Sequence, residues 1–267
     1  QHASHAISWV VAGGVVAAFA GPQLGVWGRD WIPPQVFLGS FVAQAGLALA
    51  VMALLPALRV PKPAAQGGAD ARPLRVIAAQ PALLAAVLGA AVGYAVMILA
   101  MTATPLAMLG CGFGTGEVKP VIQWHVFGMF APSFFTGSLV ARYGAPRVMQ
   151  AGFALLLGHV AVAAAGVEWL HFLGALVLLG VGWNFAFVGG TALLTQTYRP
   201  AEQTKVQALN EALVFGLVAL ASLGAGWLYD RIGWAALNAA MVPMLLVALG
   251  AAVMVGRRTR QPAARPA

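Results

Sequence analysis

The feature that most limits the fold of this chain is a series of long apolar stretches. A helix needs about 20 apolar residues to cross a bilayer core that is roughly 30 Å thick. The stretches that meet this length are 7–28, 35–56, 82–106, 121–140, 148–166, 170–196, 206–229 and 234–256. They are too long for barrel strands and lack the period-two alternation of strands. We therefore predict an all-α, polytopic transmembrane helical bundle of about eight spans.

The composition excludes an ordinary soluble protein. Of the residues, 61% are hydrophobic and 8% are charged, with a mean hydropathy of +0.84. A soluble domain carries about 25% charged residues, because its surface must be solvated. The 32 glycines point the same way, since small residues let membrane helices approach each other closely.

The basic residues of the loops predict the orientation of the chain. One side carries Arg59, Lys62, Arg72, Arg75, Arg142, Arg147, Arg199, Lys205, Arg257, Arg258, Arg260 and Arg265, and the other carries Arg29, Lys119 and Arg231. Cytoplasmic loops are the ones enriched in Lys and Arg. We expect a bacterial cytoplasmic (inner) membrane with both chain ends in the cytoplasm. Topology and anionic lipid heads account for the net charge of +8, so no nucleic acid partner is expected.

Two short motifs carry a resemblance to a known family. Gly21-Pro22-x-x-Gly25 resembles the glycine-proline signature on helix five of many major facilitator superfamily (MFS) transporters, with Ala17 and Val26 in place of two glycines. Residues 137–144, Gly-Ser-Leu-Val-Ala-Arg-Tyr-Gly, followed by Arg147, resemble the loop motif between helices eight and nine of that family. Ala141 stands where an acid is usual.

Counted from these motifs, the first span resembles helix five of the family and the last resembles helix twelve. The polar stretch 57–80 is the long connection of the chain, and long connections mark domain boundaries. The resemblance thus implies that 1–58 is the end of the first six-helix half, 59–80 a cytoplasmic linker, 81–258 the second half and 259–267 a cytoplasmic tail. We expect a fragment that lacks four helices and does not transport alone; a natural eight-span protein is the alternative.

The resemblance implies a secondary active transporter of a small organic solute that works by alternating access. The glycine-proline signature is commoner in exporters, which favours proton-coupled efflux. We expect a monomer whose partners are protons and the lipid bilayer. The alternative is a membrane protein without transport activity of its own, either an inactive fragment or a membrane enzyme or channel. No ring of like charge or repeated filter segment indicates a channel.

Polar and aromatic residues inside spans are the candidates for a substrate cavity, because buried polar groups in lipid need partners. At helical spacing they are Tyr94, Met97, Met101 and Thr104 in the third span, and Asn184, Phe187, Thr191 and Thr195, with Trp183 beside them, in the sixth. The family resemblance makes these helices seven and ten, which line the cavity. Ordinary interhelical hydrogen bonds are the alternative role.

The fourth span offers a second group. His125, Met129 and Ser133 recur every four residues, near Gln123. His125 is a cavity candidate that could titrate near physiological pH, or else a wetted interface residue. His159 is interpreted as a packing residue.

Further residues are candidates for coupling or gating. Glu211, with Asn210, is the acid set well within an apolar segment; the alternative is an ion pair with Lys205 or Arg199. Arg142 and Arg147 flank a glycine turn and are either parts of a latch or simple positive-inside anchors. Gly21 and Pro22 predict a close, kinked helix contact, as Pro132 predicts a kink in the fourth span.

Enzyme chemistry is not indicated. The single Cys111 excludes an intrachain disulfide and a CxxC site, the histidines lack metal-ligand spacing, and no nucleophile stands in a GxSxG context. The glycine run 110–116 lacks the Lys-Ser/Thr of a phosphate loop. We predict no catalytic site, cofactor or metal. The candidate cavity residues suit a neutral or weakly polar solute.

Overall fold

The structure, a computed structural model, describes residues 2–57 and 71–258, with side chains described from residue 13 onward. Its helices are α1 (His2–Trp27), α2 (Leu38–Leu54), α3 (Leu74–Ala78), α4 (Pro81–Gly110), α5 (Thr115–Phe130), α6 (Ser133–Tyr143), α7 (Ala145–Ala165), α8 (Trp169–Leu194) and α9 (Gln203–Arg258), with single 3-10 turns at Gly28–Asp30, Leu55–Ala57 and Pro200–Glu202. Most of the linker and the tail, including Arg59, Lys62, Arg260 and Arg265, lie outside the described residues.

Helices occupy every stretch that was predicted to span the bilayer. Within the described ranges, five are long and apolar enough to cross a membrane: Leu38–Ala57, Pro81–Gly110, Ala145–Ala165, Trp169–Leu194 and Pro200–Arg258. The last has 59 residues and bends at Gly233, whose φ of +73° favours glycine, so it serves two predicted crossings, 206–229 and 234–256. The all-α bundle is confirmed.

The fourth predicted span is divided into α5 and α6. The helical hydrogen-bond ladder is interrupted at Ala131 and Pro132, because proline has no N–H to donate. By contrast, α1 continues through Pro22 without a break. The glycine turn predicted between Arg142 and Arg147 is confirmed: Gly144 has a φ of +85° and separates α6 from α7.

Helix α8 lies at the centre of the bundle and touches its neighbours through glycines. A Cβ at Gly180 would lie 2.4 Å from the His125 carbonyl oxygen of α5, and one at Gly190 would lie 3.1 Å from the Ala86 carbonyl oxygen of α4. On a third side, a Cβ at Gly152 of α7 would lie 2.5 Å from the backbone nitrogen of Ala186. These approaches leave no room for a side chain, so α8 is packed tightly on three sides.

The other helices surround this centre. Helix α9 packs against α4 and α7, α1 lies along α5, and α2 follows α1 at the edge. In α1, nothing in the described part of the chain lies within 4 Å of a Cβ built at Gly21 or Gly25. The close contact predicted for Gly21 is therefore not seen there, whereas Gly93 of α4 does approach Ala186 of α8.

Several of the basic residues that the sequence assigns to one side lie at one end of the bundle. The starts of α4 and α7 meet the end of α9 at one end of the bundle, where Arg147 and Arg257 line one cleft and Pro81 and Arg258 line another. Arg72 binds in the turn before α9 at the same end. We call this the basic end.

Candidate functional site

The two aromatic stripes of the sequence meet in one cluster. Tyr94 of α4 lies edge-on to Trp183 and Phe187 of α8, with ring centroids 5.3 and 5.5 Å apart. Trp183 and Phe187 are stacked at 5.2 Å with an interplanar angle of 11°. Phe215 of α9 completes the group, 6.0 Å from Tyr94. We call these four residues the aromatic cluster.

The aromatic cluster offers both ring faces and a polar group. Phe215 is 52% exposed, while Tyr94 and Phe187 are half-buried, so one edge of the cluster is accessible. Trp183 is 8% exposed, and its indole N–H has no hydrogen-bond partner among the described residues. A buried donor without a partner is costly, which makes this N–H a group that an incoming acceptor would satisfy.

The other members of the stripes occupy different environments. Met97 is buried in the core, and half-buried Met101 packs against that core. Thr104 donates to its own helix at the Ala100 carbonyl, and Thr191 is exposed on α8. The structure therefore joins the aromatic members of the stripes in one cluster, beside the core that holds both Met97 and Trp183.

Asn184 forms a different site on α8. Its Nδ2 donates to the carbonyl oxygen of Met129 at 2.7 Å and to Oγ of Ser133 at 2.6 Å. Its Oδ1 accepts a hydrogen bond from Oγ1 of Thr136 at 2.7 Å. These three partners flank Pro132, where the helical ladder is interrupted. Asn184 is 1% exposed, so it clamps the α5–α6 break to α8 and does not share a surface with Phe187.

The two intramembrane histidines flank α8. Nδ1 of His125, on α5, lies 2.9 Å from the Leu176 carbonyl oxygen, and Nδ1 of His159, on α7, lies 2.9 Å from that of Ala175. Both side chains are fully buried. His125 therefore lies in a helix contact away from the aromatic cluster, as do Met129 and Ser133, and His159 occupies a packed position.

A polar anchor at the basic end was not predicted from the sequence. The Arg72 guanidinium contacts both carboxylate oxygens of Glu202 at 2.8 and 2.7 Å and donates to the Thr197 carbonyl at 3.1 Å. The backbone N–H of Arg72 also binds Glu202, at 2.9 Å, and Lys205 donates to the Arg72 carbonyl. The side chain of Glu202 is fully buried. We call this group the linker anchor.

The linker anchor determines the ionisation of Glu202, which lies in the turn before the crossing segment 206–229. The hydrogen bonds from the Arg72 side chain hold the pKa of Glu202 well below its ordinary value, and they outweigh the opposing effect of desolvation. The backbone N–H of Arg199 adds a further hydrogen bond of 2.9 Å. The carboxylate is therefore charged at neutral pH.

The gating candidates have fewer contacts. Glu211 is exposed and lies 3.4 Å from Nδ2 of buried Asn210. It makes no ion pair in the part of the chain that the structure describes, where the alternative interpretation paired it with Lys205 or Arg199. Lys205 reaches Arg72 instead.

The two arginines of the loop motif are also exposed. Arg142 lies over the Tyr143 ring at 5.2 Å, and Arg147 donates to the Tyr143 carbonyl at 3.3 Å.

Several residues of these sites were not predicted from the sequence. Phe215 lies in the seventh predicted span, and an aromatic residue there gave no signal of the helix that it meets. Thr136 also lies one turn after Pro132. Glu202 and Arg72 are 130 residues apart, and nothing in a single sequence pairs them.

Comparisons with known proteins agree with this architecture. The family model described as Major Facilitator Superfamily matches residues 119–267, more than half of the chain. The riboflavin transporter RfnT of Brucella anthropi is 43% identical over 249 residues, which cover 92% of this chain and 63% of RfnT. The uncharacterized MFS-type transporter YddS of Bacillus subtilis is 40% identical over 135 residues, covering 47% of this chain and 31% of YddS.

A further relative is named as an exporter. The drug efflux pump JefA of Mycobacterium tuberculosis is 31% identical over 138 residues, covering 49% of this chain and 27% of JefA. The chain thus spans less than two thirds of the length of these relatives. The matched family model and the helical bundle together lead to one conclusion: the chain belongs to the major facilitator superfamily of membrane transporters.

Proposed function

We propose that the chain is the solute-binding part of a secondary transporter for a planar, neutral heteroaromatic molecule of the riboflavin type. The observation that carries this proposal is the aromatic cluster, in which rings of α8 and α9 lie within 6.0 Å of Tyr94 on α4 and the indole N–H of Trp183 has no partner among the described residues. Stacked rings bind planar solutes by apolar contact and favourable ring geometry. The name of RfnT supports riboflavin as the first solute to test.

The proposed mechanism is alternating access, in which one half of the transporter rocks against the other around a central site. The glycine contacts of α8 keep the helices packed on it together as one body. The Pro132 break, clamped by Asn184, is the proposed point at which the α5–α6 span bends. Glu211 is the proposed coupling group, because it is an exposed acid within the crossing segment 206–229 of α9.

Orientation and assembly complete the proposal. The basic end faces the cytoplasm, in accordance with the positive-inside rule, and the transporter works as a monomer in a bacterial cytoplasmic membrane. Proton-coupled efflux is the proposed direction of transport, and the name of JefA supports efflux. A second function, that of a membrane protein without transport activity of its own, predicts no saturable binding of flavin.

The test is a titration of riboflavin with the purified protein in detergent, followed by quenching of flavin fluorescence. We expect saturable quenching that Phe187→Ala weakens roughly three- to ten-fold, because one aromatic contact contributes about 0.5–1.5 kcal/mol. Trp183→Phe keeps a ring and removes the N–H, and it should weaken binding about five-fold.

The matched control is Phe185→Ala on the same helix. Phe185 contacts Phe135 of α6, with ring centroids 6.4 Å apart, and lies outside the aromatic cluster. We expect no change in riboflavin affinity for this variant. Equal losses for Phe185→Ala and Phe187→Ala, or a wild-type protein that does not quench saturably, would refute the proposed substrate.

A further inference from the structure

A cleft at the basic end contains two arginines from different helices. It has a volume of about 250 Å³ and is lined by Arg147, Gln150, Val253, Gly256 and Arg257, so α7 supplies one wall and the end of α9 supplies the other. Gln150 donates to the Ala252 carbonyl at 3.1 Å, which holds the two walls together. Two guanidinium groups on opposite walls of one cleft suit an anionic group between them.

An apolar groove lies next to this cleft, on the other side of Arg147. It has a volume of about 290 Å³ and is lined by Leu139, Tyr143, Val148, Ala151 and Phe185, and Arg147 belongs to both spaces. The groove lies between α6, α7 and α8. A charged cleft beside an apolar groove matches the two parts of a phospholipid, a charged head joined to an apolar chain.

The charges around the cleft lack an anion. Arg147 and Arg257 form no ion pair within residues 13–57 and 71–258, and the carboxylate of Glu202 is held by Arg72. Charge complementarity thus favours an external anion, and anionic lipid heads are concentrated at the membrane surface.

We propose that this surface binds one anionic phospholipid, with its phosphate between Arg147 and Arg257 and an acyl chain in the groove beside Ala151. The site is separate from the aromatic cluster and does not depend on transport. The lipid would bridge α7 and α9, which come from distant parts of the chain. Bound lipid should therefore stabilise the contact between the two helices.

The test measures lipid binding to the purified protein in a neutral detergent, by the rise in melting temperature and by native mass spectrometry. The probes are phosphatidylglycerol, phosphatidylcholine with the same acyl chains, and sn-glycerol 3-phosphate, which has the phosphate without chains. We expect saturable binding of phosphatidylglycerol, weaker binding of phosphatidylcholine and no stabilisation by glycerol phosphate.

The variants separate the two parts of the site. Arg147→Gln and Arg257→Gln should each weaken phosphatidylglycerol binding on the order of five-fold, as expected for loss of one cation near an anionic head. Ala151→Trp should weaken it several-fold by filling the groove. Arg231→Gln, at the opposite end of the bundle, should leave it unchanged. All four changed side chains are exposed, so the melting temperatures without lipid check that each variant is folded.

Three results would overturn the proposal. Equal binding of phosphatidylglycerol and phosphatidylcholine would show that the arginines do not select the head. An equal loss in Arg231→Gln would indicate general surface charge. Stabilisation by glycerol phosphate as strong as that by phosphatidylglycerol would assign the cleft to small soluble anions.

Discussion

Replacing Asn184 with alanine removes the side chain that joins α8 to the break between α5 and α6. Three hydrogen bonds are lost, to Met129, Ser133 and Thr136. A hydrogen bond between membrane helices contributes about 0.6 kcal/mol on average. Three of them give about 2 kcal/mol of unfolding free energy, which corresponds to a fall in melting temperature of roughly 4–8 °C for a chain of this size.

The reason for this cost can be tested separately, because Pro132 creates the need for the clamp. In Pro132→Ala, residue 132 regains its N–H, and the helical ladder can run on through residues 128–136. The restored N–H would donate to the Gly128 carbonyl, and in the continuous ladder the N–H of Ser133 would donate to the Met129 carbonyl. We therefore expect Asn184→Ala to cost about 1 kcal/mol less in the Pro132→Ala background than in the wild type.

The assay is thermal unfolding in detergent, followed by tryptophan fluorescence, for the wild type, both single variants and the double variant. Thr104→Val is the control, because Thr104 is equally buried and its hydroxyl donates to the Ala100 carbonyl of its own helix, at 2.7 Å. Its cost should be about a third of that of Asn184→Ala. If the two substitutions at 132 and 184 add within about 0.3 kcal/mol, the reasoning fails, since independent sites behave in that way.

Three further predictions concern orientation, charge and packing. A membrane-impermeant maleimide should label exposed Cys111 in intact cells. In a Cys111→Ser background, Gln203→Cys should react with the maleimide only after the cells are permeabilised. The opposite labelling pattern would refute the predicted topology. Glu202→Gln should lower the melting temperature at pH 7. Because the folded-state pKa of Glu202 lies below its ordinary 4.5, this gap should stay constant above pH 4.5 and close as the pH falls through the folded value; a gap independent of pH would contradict the ion pair. Gly152→Ala would place a Cβ 2.5 Å from a backbone nitrogen of α8, so it should lower the free energy of unfolding by about 1–3 kcal/mol. Gly158→Ala on the same helix is the control, because its Cβ would lie 3.7 Å from the nearest methyl group. It should not change the melting temperature measurably in the same assay.

The helices of this fold were predictable because the requirement that fixes them is local. An apolar run of about 20 residues must satisfy its own backbone in lipid, and a helix does so without outside help. Turn positions follow from single residues: Gly144 ends α6 as predicted, and Gly233 bends α9 at the predicted boundary. Pro22 and Pro132 gave the same signal, yet only the second interrupts a helix. The difference depends on Asn184 of α8, which binds the groups around Pro132. Spacing along a sequence does not identify such a partner.

The site was predictable to a smaller extent for the same reason. Helical spacing groups residues on a face, and it correctly brought Tyr94 towards Trp183 and Phe187. It does not name the helix that a face meets, so Asn184, one residue after Trp183 and about 100° around the helix, turned out to face α5 and α6. Glu211 drew attention through its apolar surroundings, whereas the buried carboxylate with close partners belongs to Glu202, in a loop that hydropathy alone marks as unremarkable surface.

The linker anchor also changes the length of chain that joins the two groups of helices. A chain extends by at most roughly 3.6 Å per residue. A fully extended connection from Ala57 to Gln80, just before α4 begins, would reach about 83 Å. Fixing Arg72 to the turn before α9 limits the free part of the tether to about 54 Å. The stretch after Arg72 is held as well, because Ile77 of α3 is fully buried and Gln80 donates to the Thr197 carbonyl at 3.1 Å. A longer tether would therefore require the contacts of α3 and Gln80 to break together with the ion pair, so this whole segment sets how far α1 and α2 can lie from the rest.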